Sequence, residues 1–339
     1  MLRLLFNRLL QTAFVLLIVS VIVFLLLHLA PGDPVDLLFG EQNVSAEQKE
    51  EVRRNLGLDR PLLLQYLHFL GSAVTGDLGN SIFRGASVLS LIKPALFATI
   101  ELTVGAVLVA TIVGVPIAVV SALRQNSFVD RAGSAIALFG ISMPSFWLGI
   151  MLILLFSVKL GVLPTGSQLD LGVDVPHLTG FVVLDSLLSG DPAAFGSALR
   201  HVALPSVTLG TALAATVVRV LRAGLIEAKN QDFIDAVRAR GVSHLTVIRH
   251  MLRNALPPTV IMMGVKIGSL LGGAIVVETI FSWPGLGRLI VEAIRARDYP
   301  LVQGGVLLMA VLFVLVNLCA DILHGVLDPR IRQGRRSRA

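Results

Sequence analysis

Long apolar runs separated by charged connections dominate this chain. Six runs are long enough to cross a bilayer as helices, which takes roughly 20 apolar residues each; they cover about 9–30, 95–123, 133–159, 203–225, 258–282 and 302–326. Apolar residues fall on every side of such runs, so length and polar flanks define the elements better than period does. The first run follows Arg3 and Arg8 and ends at Pro31-Gly32-Asp33-Pro34. It is longer than the apolar core of a secretory signal, and we expect a retained anchor helix. Arg219 and Arg222 lie near the end of the fourth run.

The connections carry their own patterns. Within 31–94, Glu47 to Arg54 reads as a solvated helix, and Leu62, Leu63, Tyr66 and Phe69 follow at the spacing of an amphipathic one. The segment 160–202 is rich in Gly, Pro and Asp and suits a folded lid or a docking surface for a partner. Between the fourth and fifth runs, Asn230 or Asp232 can cap a helix start, and Gly241 can end that helix in the left-handed conformation. Phe233 and Val237 share one face of it. Ser243 can cap a second helix with Leu245, Ile248 and Leu252 on one face and Arg249 and Arg253 elsewhere. The first helix can act as a rigid knob that transmits force; a solvated loop with two helical turns is the alternative.

Composition turns these runs into a membrane protein. Of the 339 residues, 55% are hydrophobic and 15% charged, against about a quarter charged in soluble domains, and the mean hydropathy is +0.82. The net charge of +6 does not mark a nucleic-acid binder, because many basic residues flank apolar runs and no aromatic-interleaved basic platform exists. Instead they orient the chain. Arg3 and Arg8, Arg124 and Arg131, the group Lys229, Arg238, Arg240, Arg249 and Arg253, and the tail from Arg330 to Arg338 fall on one side of six spans. The positive-inside rule makes that side the cytoplasm, with both termini there. Arg288, Arg295 and Arg297, set against Glu292 and Asp298, are the exception on the other side. The single cysteine, Cys319, lies in an apolar run and offers no disulfide framework or metal cluster.

Catalytic patterns are sparse. Gly161 to Ser167 has the glycine spacing of a phosphate loop without the lysine that reaches the phosphates. The seven histidines show no metal-ligand spacing, and no Gly-x-Ser-x-Gly elbow occurs. Ionisable residues within spans are costly and face a partner or a water path; here they are Glu101, Arg219, Lys266, Glu278 and Asp321. Lys266 sits roughly 13 Å from the cytoplasmic end of the fifth span, and a pairing with Asp321 is expected. Gly264, Gly268 and Gly272, each four apart, provide a surface for close helix packing.

Asp235-Ala236-Val237, with Gly241 six places after Asp235, resembles the Glu-Ala-Ala…Gly loop of type I ATP-binding cassette importer permeases. Asp235 stands for Glu and Val237 for the second Ala, and Leu256-Pro257 comes about one helical turn later than in sugar importers, as in the peptide and nickel branch. That branch is matched along most of the chain: Ala30 to Pro34, Leu56 to Pro61, Gly76 to Gly79, Pro144 to Trp147, Gly161 to Gly166, Glu278 to Gly287, Arg297 to Pro300 and Asp328 to Arg332. Leu178-Thr179-Gly180-Phe181, with Asp185 to Leu188 after it, is similar to dipeptide permeases in particular. Lys266 departs from the polar amide common at its position in the branch.

The resemblance implies an all-α integral membrane fold of six transmembrane helices in a bacterial inner membrane. It divides the chain into an anchor helix 1–30, an extracytoplasmic segment 31–94, a permease core 95–326 with coupling loop 226–257 and outer loop 160–202, and a basic cytoplasmic tail 327–339. It implies import of dipeptides or short peptides, with Asp235, Ala236, Val237 and Gly241 docking in a cleft of a cytoplasmic ATPase. The implied partners are a second homologous permease, two ATP-binding cassette ATPases and an extracytoplasmic peptide-binding protein, besides membrane lipid. No cofactor is expected in this chain, ATP and magnesium residing in the ATPases. Oligopeptide, glutathione or nickel import are the alternatives within the family. A secondary transporter using Glu101, Glu278 and Asp321 is the alternative outside it, though no pair of inverted halves is evident.

Overall fold

The computed structural model describes the backbone of residues 2–29, 45–55 and 59–327. It is helical throughout these segments apart from loops and one isolated bridge between Asn80 and Ser87. The helices are α1 (Leu2–Leu29), α2 (Ala46–Asn55), α3 (Leu62–Thr75), α4 (Val88–Leu123), α5 (Phe128–Ser142), α6 (Ser145–Leu152, continued by a π-helical turn over Ile153–Lys159), α7 (Val182–Leu188), α8 (Pro192–Lys229), α9 (Asp232–Ala239), α10 (His244–Ile280), α11 (Leu286–Ala296) and α12 (Tyr299–Leu327).

Among the described residues, α4, α8 and the Tyr299–Ala320 part of α12 are each long and apolar enough to cross a membrane. Two bent pairs raise the number to five if each pair is one span. The sixth expected run, 9–30, falls in α1, where an apolar stretch covers Leu10–Leu25. The 36 residues of α4 and the 38 of α8 exceed what a span needs, because intrahelical hydrogen bonds are local and do not stop where hydrophobicity does.

The expected span 133–159 is a sharply bent helix pair and not one straight helix. The axis turns by 105° between α5 and α6. Pro144 has no N–H to donate, and its ring pushes the preceding residue out of the helical region; Met143 is accordingly extended, with φ −81° and ψ 125°. The tandem prolines Pro257 and Pro258 have the opposite outcome and lie inside the 37 residues of α10. The expected second short helix after Ser243 is therefore the beginning of α10, not a separate element. Its buried face is Val247, Met251 and Ala255, while Leu245 is exposed.

By packing, the chain forms two units, residues 1–97 with 285–314, and residues 98–284 with 315–339. In the first, α3 lies on α1: Phe24 meets Tyr66 edge-on at 5.5 Å between ring centroids, and the Tyr66 hydroxyl is 2.9 Å from that of Ser20. Leu62 and Leu63 of the same helix stay exposed, while Tyr66 and Phe69 are half-buried, the Phe69 ring 6.2 Å from that of Phe24. The solvated helix α2 starts with a capping box. The Gln48 N–H donates to the Ser45 hydroxyl at 3.3 Å, and the Ser45 N–H to the Gln48 side-chain Oε1 at 3.2 Å. Asp298 fastens the turn 79–88, accepting from the Ser81 hydroxyl and the Ile82 N–H. Val88, Ile92 and Ala95 pack there with Leu286, Leu289 and Ile290 of α11.

The second unit is a bundle in which α8 packs against α10, α5, α6 and α7. Small residues let the helices approach closely. A Cβ on Gly210 of α8 would stand 2.7 Å from the Ala106 carbonyl of α4. Of the expected glycine stripe, Gly264 meets Ala320, where an added Cβ would come within 2.7 Å of the alanine methyl. Gly268 is buried, and Gly272 has open space beside it.

Candidate functional site

The connection between α8 and α10 is built as the sequence suggests, with a different cap and a different anchor. The eight residues of α9 begin at Asp232, capped by Gln231 through its backbone and without the side-chain cap expected from Asn230 or Asp232. Gly241 takes φ +69°, the left-handed conformation that only glycine adopts without strain, and its N–H returns to the Arg238 carbonyl at 2.9 Å. Ser243 caps the next helix, accepting from the Thr246 N–H at 3.4 Å.

Ile234, which the one-face pattern of Phe233 and Val237 missed, is the residue that anchors α9. It is completely buried in a core shared with Ala118 and Ala122 of α4, Leu221 and Leu225 of α8, and Val247, Met251 and Ala255 of α10. Phe233 and Val237 are half-buried at its edge. Their four-residue spacing brackets the buried line without marking its centre, a distinction that depends on where the neighbouring helices lie. Asp235, Ala236 and Gly241 are exposed, and Asp235 pairs only with Arg238 of its own helix among the contacts described, at 3.1 Å. The four expected contact residues thus divide: three face outward, and Val237 leans on the core.

The intramembrane carboxylates occupy different surroundings. Glu278 of α10 is fully buried and accepts from the Thr99 hydroxyl at 2.6 Å. Just beyond the end of α10, the indole N–H of Trp283 donates to the Ala98 carbonyl at 2.9 Å. Glu101 accepts from the Val183 N–H at 2.6 Å and from Gln168 at 3.3 Å. It thereby ties the segment 160–202 to α4. Within that segment, burial works against the charge of Asp185. Donation from the Thr179 hydroxyl and N–H and from the Gly180 N–H more than offsets it, and the carboxyl is held below its usual range. Lys266 and Arg219 are exposed. The expected pairing of Lys266 with Asp321 lies outside the described residues, since the Asp321 side chain is not among them.

The glycine-spaced loop at 161–167 serves packing. A Cβ on Gly166 would sit 2.2 Å from the Phe281 carbonyl oxygen, and the Ser167 N–H donates to that oxygen at 3.0 Å. Two polar features were not expected. His201 is buried, with Nδ1 2.9 Å from the Ser197 carbonyl. Arg222 of α8 grips Asp130 of α5 through one edge of its guanidinium, Nε and Nη2, at 2.6 and 2.7 Å. Its partner lies 92 residues away, and no local pattern links the two. Among the described residues, no group of three or more His, Cys, Asp or Glu is arranged to hold a metal ion.

Comparison with known proteins places this arrangement in context. The family described as binding-protein-dependent transport system inner membrane component matches residues 114–333, and the family describing the N-terminal part of such components matches residues 1–103. The chain is 42% identical to the di/tripeptide transport system permease protein DppB of Pseudomonas aeruginosa over 318 residues, 94% of this chain and 95% of that protein. It is 43% identical to the dipeptide transport system permease protein DppB of Escherichia coli K12 over 93% of this chain and 94% of the relative. The glutathione transport system permease protein GsiC of Escherichia coli CFT073 is 41% identical over 98% of this chain and 99% of its own length. Among solved structures, a chain of the MetNI methionine ABC transporter in an inward-facing conformation aligns with TM-score 0.51 and 18% identity, covering 71% of this chain and 97% of that one.

Proposed function

The chain belongs to the inner membrane components of binding-protein-dependent transport systems, and from that premise we propose that it is one permease subunit of an ATP-binding cassette importer carrying dipeptides or short peptides. The observation that carries the substrate class is identity above 40%, over more than nine-tenths of each chain, to di/tripeptide and dipeptide permeases. Glutathione, itself a short peptide, is the second reading, favoured by the match to a glutathione permease over 98% of this chain.

In this proposal the chain holds no ATP site, and the energy comes from two ATPase subunits bound on the cytoplasmic side. A second, homologous permease completes the pathway, and an extracytoplasmic binding protein delivers the peptide. Both termini lie in the cytoplasm, on the side of the basic connections. The short helix α9 is the contact with an ATPase. The burial of Ile234 supports this, because it fixes α9 to the ends of α4, α8 and α10 while Asp235 and Ala236 face outward. When the ATPases close, α9 is pushed, and the bundle shifts from inward- to outward-facing because the two states bind nucleotide and peptide differently.

The test is peptide uptake by membrane vesicles holding this chain with its partner permease and binding protein, with and without the ATPase subunits and ATP. Uptake that requires both supports the importer. Uptake that persists without ATP and collapses with the proton gradient would instead support a secondary transporter.

A further inference from the structure

The ion pair between Arg222 and Asp130 carries an inference beyond the contact at α9. Arg222 donates through Nε to Oδ1 at 2.6 Å and through Nη2 to Oδ2 at 2.7 Å. The Asp130 carboxylate is buried and also accepts from the Asn126 N–H at 2.9 Å. One carboxylate therefore binds the turn into α5 to the flank of α8. Burying an ion pair brings little net stability, since desolvation offsets the attraction, so its geometry points to a role in position.

The seam that this pair closes is lined by small side chains. Along it, Ala137 packs on Ala215 and Val218, and a Cβ on Gly140 would meet the Thr211 methyl at 3.2 Å. As the numbers rise on α5 they fall on α8, so the helices run antiparallel, with Asp130 and Arg222 at one end. Small apolar contacts are non-directional and resist axial slip weakly. A bidentate, charge-assisted contact sets register and angle. At that same end, Leu221 and Leu225 flank Arg222 in the core that Ile234 of α9 enters. At the other end, α5 stops at the 105° turn into α6.

We infer that Arg222 and Asp130 are positioning residues that make α5 follow α8 when α9 is displaced, so that a push on α9 reaches the bend at Met143 and Pro144. This rests on the proposed docking of α9 to an ATPase.

The experiment uses the complete complex in proteoliposomes and records peptide uptake and ATP hydrolysis in one sample. Asp130→Asn keeps the side-chain shape and an acceptor for Asn126. Arg222→Lys keeps the charge and loses the planar fork. Both should hydrolyse ATP while peptide moved per ATP falls at least about fivefold, the low end of coupling between sites. A merely structural role would lower hydrolysis and uptake together, in step with the amount of assembled complex, and an unchanged ratio in Arg222→Lys overturns the inference. If Asp130→Asn does not assemble, the Arg222→Lys ratio decides. Gly241→Val separates the two ideas. Uncoupling by Gly241→Val without uncoupling by the Arg222 or Asp130 variants removes only the role of the pair. An unchanged ratio in Gly241→Val removes the docking of α9 and the inference with it.

Discussion

Trp283 donates its indole N–H to the carbonyl oxygen of Ala98, 2.9 Å away, across 185 residues of chain. Both belong to a core that also holds Leu102, Val277 and Phe281, so the bond pins the end of α10 to α4 at a buried point. Trp283→Phe keeps an aromatic ring and removes the donor; the expected cost is about 1 kcal/mol, the usual net worth of one hydrogen bond. Trp283→Ala also empties the site and should cost roughly 3–5 kcal/mol. Thermal unfolding of the purified complex measures both, and unchanged stability in Trp283→Phe would show that the indole N–H contributes nothing of its own.

Ile234 and Ala236 separate anchoring from docking. Ile234→Ala removes a fully buried side chain and should cost about 2–5 kcal/mol locally, loosening α9 from the bundle. Ala236 is exposed, so Ala236→Arg should change stability by no more than about 0.5 kcal/mol. It should nevertheless reduce the amount of ATPase that co-purifies with the permease. Normal co-purification with Ala236→Arg would move the contact surface elsewhere on the chain.

At Gly241 the prediction concerns backbone conformation. With φ +69°, a β-branched side chain is strained by roughly 1–2 kcal/mol, whereas Asn tolerates this region. Nothing lies within 4 Å of a Cβ built there, so sterics from neighbours do not confuse the comparison. Peptide moved per ATP should drop in Gly241→Val and stay near normal in Gly241→Asn. An equal drop in the two variants would mean that more than the left-handed conformation is required at Gly241.

The pH dependence of the outer segment follows from Asp185. Burial disfavours its charge, yet the donors from Thr179 and Gly180 prevail and keep its folded value below the ordinary 3.8. A depressed carboxylate contributes stability that is fully present above the unfolded value and lost as pH falls through the folded one. Protection of the Thr179 and Gly180 amides against hydrogen exchange should therefore persist through neutral and mildly acidic pH and disappear only below the ordinary carboxylate range. Asp185→Asn should lose much of it at pH 7. Undiminished protection in that variant would show that the carboxylate does not anchor the loop.

Local chemistry along the chain already contained much of this. Long apolar runs announce membrane helices because no other open backbone satisfies itself in lipid. Ser243 and Gly241 were legible as cap and stop because capping is decided within a few residues. The helix with Tyr66 and Phe69 was legible from its period, and the short helix beginning at Asp232 from its flanks. What tertiary structure alone decided are relations between distant residues. Pro144 was visible, but a proline inside an apolar run has two outcomes. Pro257 and Pro258 stay within a helix whose Ala255 packs on Gly224, whereas Met143 extends and the axis turns by 105°. The choice of Ile234 over Phe233 and Val237 as the anchor depends on where α4, α8 and α10 place their core. The grip of Arg222 on Asp130 depends on an antiparallel pairing that no local pattern encodes. Periodicity and capping act over one or two turns of chain, while burial and ion pairing are settled by which helices become neighbours.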